Sequence, residues 1–277
     1  MLALASAFLF GAMTVALRFA LARVPDAEAG ALFTIAAAFV VTLPVVAAGP
    51  IDLGGIWPFL LAGVLGPGLS QLLFTIAVRD AGPSRTSVVV GTAPLFSVLI
   101  ALVFLDEPLQ AGLVAGALLI VVGGMLLVGE PARPEHVKRI GLVVALFASI
   151  IFAVRDSLVR HLSIDTEVEP ALAAAATLGA GGLVVTLYLL ASRRTLPTAG
   201  VRAFLLAGLL FGISYLCLFE AYYRARVTVV SPLVATESLW AVTLSALLLR
   251  RHELVGPRLL GGAALVVAGG ALIGVFR

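Results

Sequence analysis

The segment SPLVATESLWAVTLSALLL, residues 231–249, is apolar apart from a few hydroxyls and one carboxylate, Glu237. A carboxylate at the middle of a membrane-spanning segment costs at least about 2.5–3.5 kcal/mol. It must face a wet cavity, meet a cation or carry a proton. Two kinds of chemistry are open to it: contact with a cationic group of a solute, and carriage of a coupling proton. The structural alternative is a hydrogen-bonded tie between helices. Trp240 lies three residues along on the same helical face, which Leu233 and Leu244 continue. Pro232, about one turn earlier, removes a backbone donor and permits a kink.

A second constellation is GVLGPGLSQLLFTIAVR, residues 63–79, in which Gly63, Pro67, Ser70, Gln71, Phe74 and Val78 share a helical face. Gly66, Pro67 and Gly68 should bend or break the helix and free carbonyls that need a partner or water. Ser70, Gln71 and Phe74 are then candidates to line a cavity beside a hinge. The alternative for Ser70 and Gln71 is bonding between helices, worth about 0.6 kcal/mol on average. Further on, Gly208, Gly212, Tyr215, Phe219 and Tyr222 recur at spacings of three and four. Tyr215 is placed in the cavity, where its ring could stack on a cation. Tyr222 and Tyr223 read as packing or an interfacial belt. Glu220 with Arg224, and Asp156 with Arg160, have the i,i+4 spacing of helix-surface ion pairs. Arg155 is offset from that face, where a solute carboxylate is one partner open to it.

Other chemistries find no support. There is no P-loop, HExxH, GxSxG or dinucleotide fingerprint, so neither ATP coupling nor a catalytic residue is assigned. Cys217 is the only cysteine, which excludes a disulfide framework and a thiolate cluster. His161 and His252 stand alone in breaks, and no metal or other cofactor is expected.

The elements that must position these groups are membrane helices. Of 277 residues, 61% are hydrophobic and 12% charged, and the mean hydropathy is +1.16. A soluble domain is about 45–50% apolar and about 25% charged. The composition makes the lipid bilayer one partner and argues against nucleic acid despite a net charge of +3; the carboxylate at Glu237 points to a small organic solute as the other. Ten apolar runs of spanning length lie near 2–22, 29–48, 57–79, 86–105, 110–128, 140–160, 171–190, 202–223, 227–249 and 256–275. They are continuous rather than alternating, which argues against a β-barrel. The fold class expected is an all-α membrane protein. The first run has no basic leader segment and no cleavage site, so it reads as a helix rather than a signal peptide.

The longest mainly polar break falls at 130–139 and divides the chain into 1–129, a connecting loop 130–139, and 140–277, each half with five helices. Gly116, Gly123 and Gly124 match Gly262, Gly269 and Gly270 at one constant offset, which Glu107 and Glu253 share. Upstream the register slips by about two residues. Five helices per half puts equivalent breaks on opposite sides, and the basic residues divide accordingly: 13 adjoin breaks one, three, five, seven and nine, and 5 the others. This is the pattern of two inverted five-helix repeats. The bias puts the richer side in the cytoplasm and both termini outside. The motifs Gly112-x-x-x-Gly116, Gly208-x-x-x-Gly212 and Gly270-x-x-x-Gly274 should permit close helix packing.

Pro94, LDEPLQAGLVAG (105–116) with Gly123-Gly124, and ELVGPRLLGG (253–262) with Gly269-Gly270 resemble the EamA family of the drug/metabolite transporter superfamily. The resemblance covers nearly the whole chain. Asp106 and His252 stand where the family usually has Gly before the Glu. Membership implies a secondary transporter with a central cavity lined mainly by helices three, four, eight and nine, whose members export amino acids, metabolites or drugs and in some cases import small solutes. The expected function is alternating-access export of amino acids or similar small metabolites across a bacterial inner membrane. Heavy Ala, Gly, Val and Arg, with one lysine and no asparagine, point to a GC-rich bacterial source. Substrate would meet Glu237, Trp240, Ser70, Gln71, Phe74 and Tyr215. Glu237 would also carry the proton, and Gly66, Pro67, Gly68, Pro94 and Pro232 would be hinges. The rivals are a carrier of quaternary amines or cationic drugs and, more remotely, an intramembrane lipid-modifying enzyme. The protein is expected as a monomer or a dimer.

Overall fold

A computed structural model describes residues 1–96, 111–128, 138–164, 166–225, 227–249 and 256–276. Glu107, Glu253, His252 and all but the end of the 130–139 break lie outside the described residues. The described residues form helices and no strand. They run α1 (Leu2–Arg23), α2 (Ala27–Ala47), α3 (Trp57–Gly63), a π-helical turn (Val64–Ser70), α4 (Gln71–Ala81), α5 (Pro83–Val90), α6 (Ala111–Val128), α7 (Arg139–Leu162), α8 (Pro170–Ala191), α9 (Gly200–Arg224), α10 (Val227–Ala235), α11 (Glu237–Leu248) and α12 (Pro257–Phe276).

Seven spans among the described residues are long and apolar enough to cross a membrane, Trp57–Ala81 counting as one, and shorter apolar stretches cover Ala111–Gly123 and Leu233–Leu248. The polarity is inverted relative to a water-soluble protein. Gln71, Arg155, Asp156 and Glu237 are buried, while Leu118, Leu183, Leu187, Leu206 and Leu247 are exposed. A bundle whose solvent is hydrocarbon keeps its polar groups inside.

Local sequence explains the irregular points. Asp26 caps α2 by accepting the Ala29 N–H at 3.0 Å. Gly66 leaves helical geometry at ψ −111° inside the π-helical turn, where Pro67 supplies no N–H. The Ser70 hydroxyl donates to the Gly66 carbonyl, one turn back. The expected break at Gly66–Gly68 is thus a π-helical bend in one continuous span. Gly82 turns the chain between α4 and α5 at φ 84°, a region that favours glycine.

The ninth run, expected as one helix kinked at Pro232, is two helices meeting at Thr236. The Thr236 hydroxyl donates to the Leu233 carbonyl at 2.6 Å. The fourth run has the same feature. α5 ends at Val90, Gly91 and Thr92 form a turn, and helix resumes at Ala93. The Thr92 hydroxyl donates to the Val89 carbonyl at 2.6 Å.

The glycine seam lies between α6 and α12. A Cβ added to Gly123 would stand 2.7 Å from the Gly262 carbonyl oxygen, and one added to Gly262 would stand 2.9 Å from that of Gly123. The Gly208 motif packs on α2 instead, against Ala37 and Thr34, with Gly212 against Ala38.

One end of the bundle is tied by charge. Arg79 grips both oxygens of Asp80, Nε–Oδ1 at 3.0 Å and Nη2–Oδ2 at 3.1 Å, and reaches Glu28 at 3.5 Å. Lys138 joins Asp80 through Nζ at 3.4 Å and donates its backbone N–H to the Asp80 carbonyl at 2.7 Å. Arg194 lies 3.3 Å from Glu28 and 3.7 Å from Asp26. These ties link the ends of α2 and α4 to those of α7 and α8.

Candidate functional site

A cavity opens where the helices are interrupted. Ser6 and Phe10 of α1 border it, with the Gly91–Pro94 turn after α5, Phe152 to Asp156 of α7, Ser214 to Leu218 of α9, and Ser231 to Glu237 at the α10–α11 junction. Its volume is about 40 Å³. That is room for a few waters. An organic solute needs the walls to move apart.

One arginine and two carboxylates face this space. Glu237 is 5% exposed and begins α11, so its carboxylate sits at the end of a helix whose dipole favours negative charge. Among the described residues it has no hydrogen-bond or ion-pair partner, and it lies in the electrostatic reach of Arg155 and Asp156. Arg155, also 5% exposed, bonds Asp156 through Nε at 2.8 Å and Nη2 at 2.6 Å, both to Oδ1. Its guanidinium lies 4.8 Å from the Phe152 ring centre and 5.6 Å from that of Tyr215, which is cation–π distance.

Aromatic rings extend the wall. Phe10 meets Phe152 at 6.1 Å and Phe211 at 6.0 Å, and Tyr215 lies between Phe211 at 5.3 Å and Phe219 at 4.8 Å. The serines are tied across α1 and α9: Ser6 and Ser214 hydroxyls are 3.0 Å apart, and Ser214 donates to the Ser6 carbonyl at 2.9 Å. The π-helical turn backs onto the charged pair. A Cβ on Gly66 would stand 3.1 Å from Arg155 Cδ.

The EamA-like transporter family model matches residues 1–129 and 139–275. The chain belongs to the EamA-like transporter family. It is therefore a membrane transporter of the drug/metabolite superfamily. A protein of solved crystal structure matches this EamA-like chain at 22% sequence identity and a TM-score of 0.64, over 96% of each chain. That likeness shows the fold alone. No curated protein sequence matches.

In this EamA-like transporter the expected site residues separate into two groups. Glu237 and Tyr215 border the cavity, and so does Pro94. Gly91 and Thr92, not proline alone, interrupt the fourth run. Trp240 does not border the cavity. It is 41% exposed on the outer face and packs edge-on against Phe8 at 5.3 Å. Ser70, Gln71 and Phe74 are fully buried and do not border it either. Ser70 is held by the π-helical turn. Phe74 stands behind the wall, 5.2 Å from Phe10 and 6.1 Å from Phe152. Neither Gln71 side-chain polar atom has a hydrogen-bond partner among the described residues.

The charge pairing of α7 differs from the i,i+4 expectation. Asp156 pairs with Arg155, and Arg160 instead donates to the Tyr222 carbonyl at 2.8 Å. Glu220 does pair with Arg224. Arg155 and Asp156 therefore join the site as a unit. The signal available in the sequence was the pair of opposite charges within an apolar helix; spacing alone sent it to the helix surface.

Proposed function

We propose that this EamA-like transporter moves small amphiphilic zwitterions, amino acids or similar metabolites, by secondary active, alternating-access transport. The observation that carries the reading is the cavity itself: a guanidinium and an unbonded carboxylate face one space among aromatic rings. A zwitterion places its carboxylate at Arg155, its ammonium at Glu237 and an apolar side chain against Phe10, Phe152 and Tyr215. Export across a bacterial inner membrane is the direction and setting we assign, on family resemblance and on composition.

We assign the architecture to two inverted five-helix repeats, 1–129 and 140–277. Two features support it. The fourth and ninth runs are interrupted at Thr92 and Thr236, positions that agree within the two-residue slip of the repeat. The α6–α12 seam also pairs glycines reciprocally. Alternating access then follows as one half rocks against the other about the interrupted helices, with Gly66, Pro67, Gly68, Pro94 and Pro232 as hinge positions.

One observation favours a second reading, a carrier of cationic amines. Asp156 already meets the charge of Arg155, which leaves Glu237 as the net charge of the cavity. Uptake by proteoliposomes of labelled L-leucine, L-phenylalanine, choline and 3-methylbutylamine, with and without a pH gradient, separates the two. Leucine uptake that exceeds amine uptake supports the zwitterion; amine uptake without leucine uptake replaces it with the second reading.

A further inference from the structure

The Arg155–Asp156 pair is made by side chains that leave a helix in directions about 100° apart. Both guanidinium bonds fall on one oxygen, Oδ1. The protein contains a comparison for this geometry. Arg79 and Asp80 are also adjacent on a helix, yet there the two bonds go to two oxygens. That fork-on-fork arrangement is the stronger way for arginine to hold a carboxylate. In the cavity, Asp156 leaves it unmade. The side chains are 6% and 11% exposed, and both border the one space in which Glu237 has no bonded partner.

An arginine buried without an anion would be strongly destabilising, so an empty cavity needs a counter-ion for Arg155. A solute carboxylate arriving from the cavity can take both guanidinium edges without the constraint of a shared backbone. The ring stacking on Phe152 and Tyr215 would hold the guanidinium in place while its anion is exchanged.

We propose that Asp156 is an internal stand-in for the substrate's carboxylate: it neutralises Arg155 when the cavity is empty and is displaced when an amino acid binds. Asp156 is thereby a specificity-determining residue. It sets how strongly a carboxylate must compete for Arg155, and once released it adds a second anion near the substrate ammonium. The inference rests on the amino-acid reading of the cavity and goes beyond it, because a plain binding residue and a competitor respond oppositely to removal.

The test is equilibrium binding to the full chain in lipid nanodiscs, with L-leucine, 3-methylbutylamine (leucine without its carboxylate) and 4-methylpentanoate (leucine without its amine). Wild type, Asp156→Asn and Asp156→Glu are compared. Removing the competitor should tighten leucine and 4-methylpentanoate by about tenfold and should not tighten 3-methylbutylamine; Asp156→Glu should restore the wild-type order. Leucine bound equally or more weakly by Asp156→Asn, with wild type binding it well, overturns the stand-in and leaves the amino-acid reading standing. Wild type that binds the amine but not leucine overturns both. Asp156→Glu that behaves as Asp156→Asn also overturns the stand-in, since charge would then not be what competes.

Discussion

Gly116 and Gly269 face each other backbone to backbone. A Cβ built on Gly116 would lie 2.7 Å from the Gly269 carbonyl oxygen, and one built on Gly269 would lie 2.5 Å from that of Gly116. Two turns along, Gly123 and Gly262 repeat the contact. A step forward on α6 is a step back on α12, so the helices run antiparallel here. The glycines that face each other are also those related by the constant offset of the sequence, crossed over. Gly116→Ala or Gly269→Ala should cost about 1–3 kcal/mol by overpacking backbone on backbone. Gly261→Ala, whose added Cβ meets nothing nearer than 4.0 Å, should be close to neutral. Thermal unfolding in detergent measures all three.

Arg155→Lys keeps the charge and loses the fork and the ring stacking. Leucine uptake should fall at least tenfold while the protein remains monodisperse and folded. Initial rates of the variant and of wild type in proteoliposomes, normalised to reconstituted protein, supply the comparison.

Trp240→Ala should leave uptake within about twofold of wild type. Its ring packs on Phe8 at the outer face, away from the cavity. A loss as large as that of Arg155→Lys would put the ring in the transport path.

Asp80→Asn removes the acceptor shared by Arg79 and Lys138. Asp80 is buried, but Lys138 is largely exposed and Arg79 keeps Glu28, so the loss should be about 1–2 kcal/mol, less than for a fully buried pair. Chemical or thermal unfolding of variant against wild type reads it.

These sites differ in how visible they are along the chain. Glu237 is visible in one dimension, because a carboxylate in an apolar run has few explanations. The seam glycines are visible because small residues at a fixed offset mark close packing. The orientation of Trp240 is not. Residues three apart on a helix point about 60° apart, enough to set Glu237 on the cavity and Trp240 outside it, and nothing in spacing says where the wall falls. Ser70 is fully buried and turns its hydroxyl back to the Gly66 carbonyl of the π-helical turn, a local bond that a helical wheel drawn through Pro67 omits. The Asp156–Arg160 expectation failed because Arg160 finds a carbonyl on α9, a tertiary partner beyond any local rule.

The measurement that bears most directly on the account is transport by Glu237→Gln in proteoliposomes, comparing gradient-driven leucine accumulation with leucine exchange at equal pH. With Glu237 as the proton-carrying group of the cavity, glutamine should abolish accumulation and keep exchange. Accumulation and exchange both at wild-type levels would contradict the account and return Glu237 to a structural role.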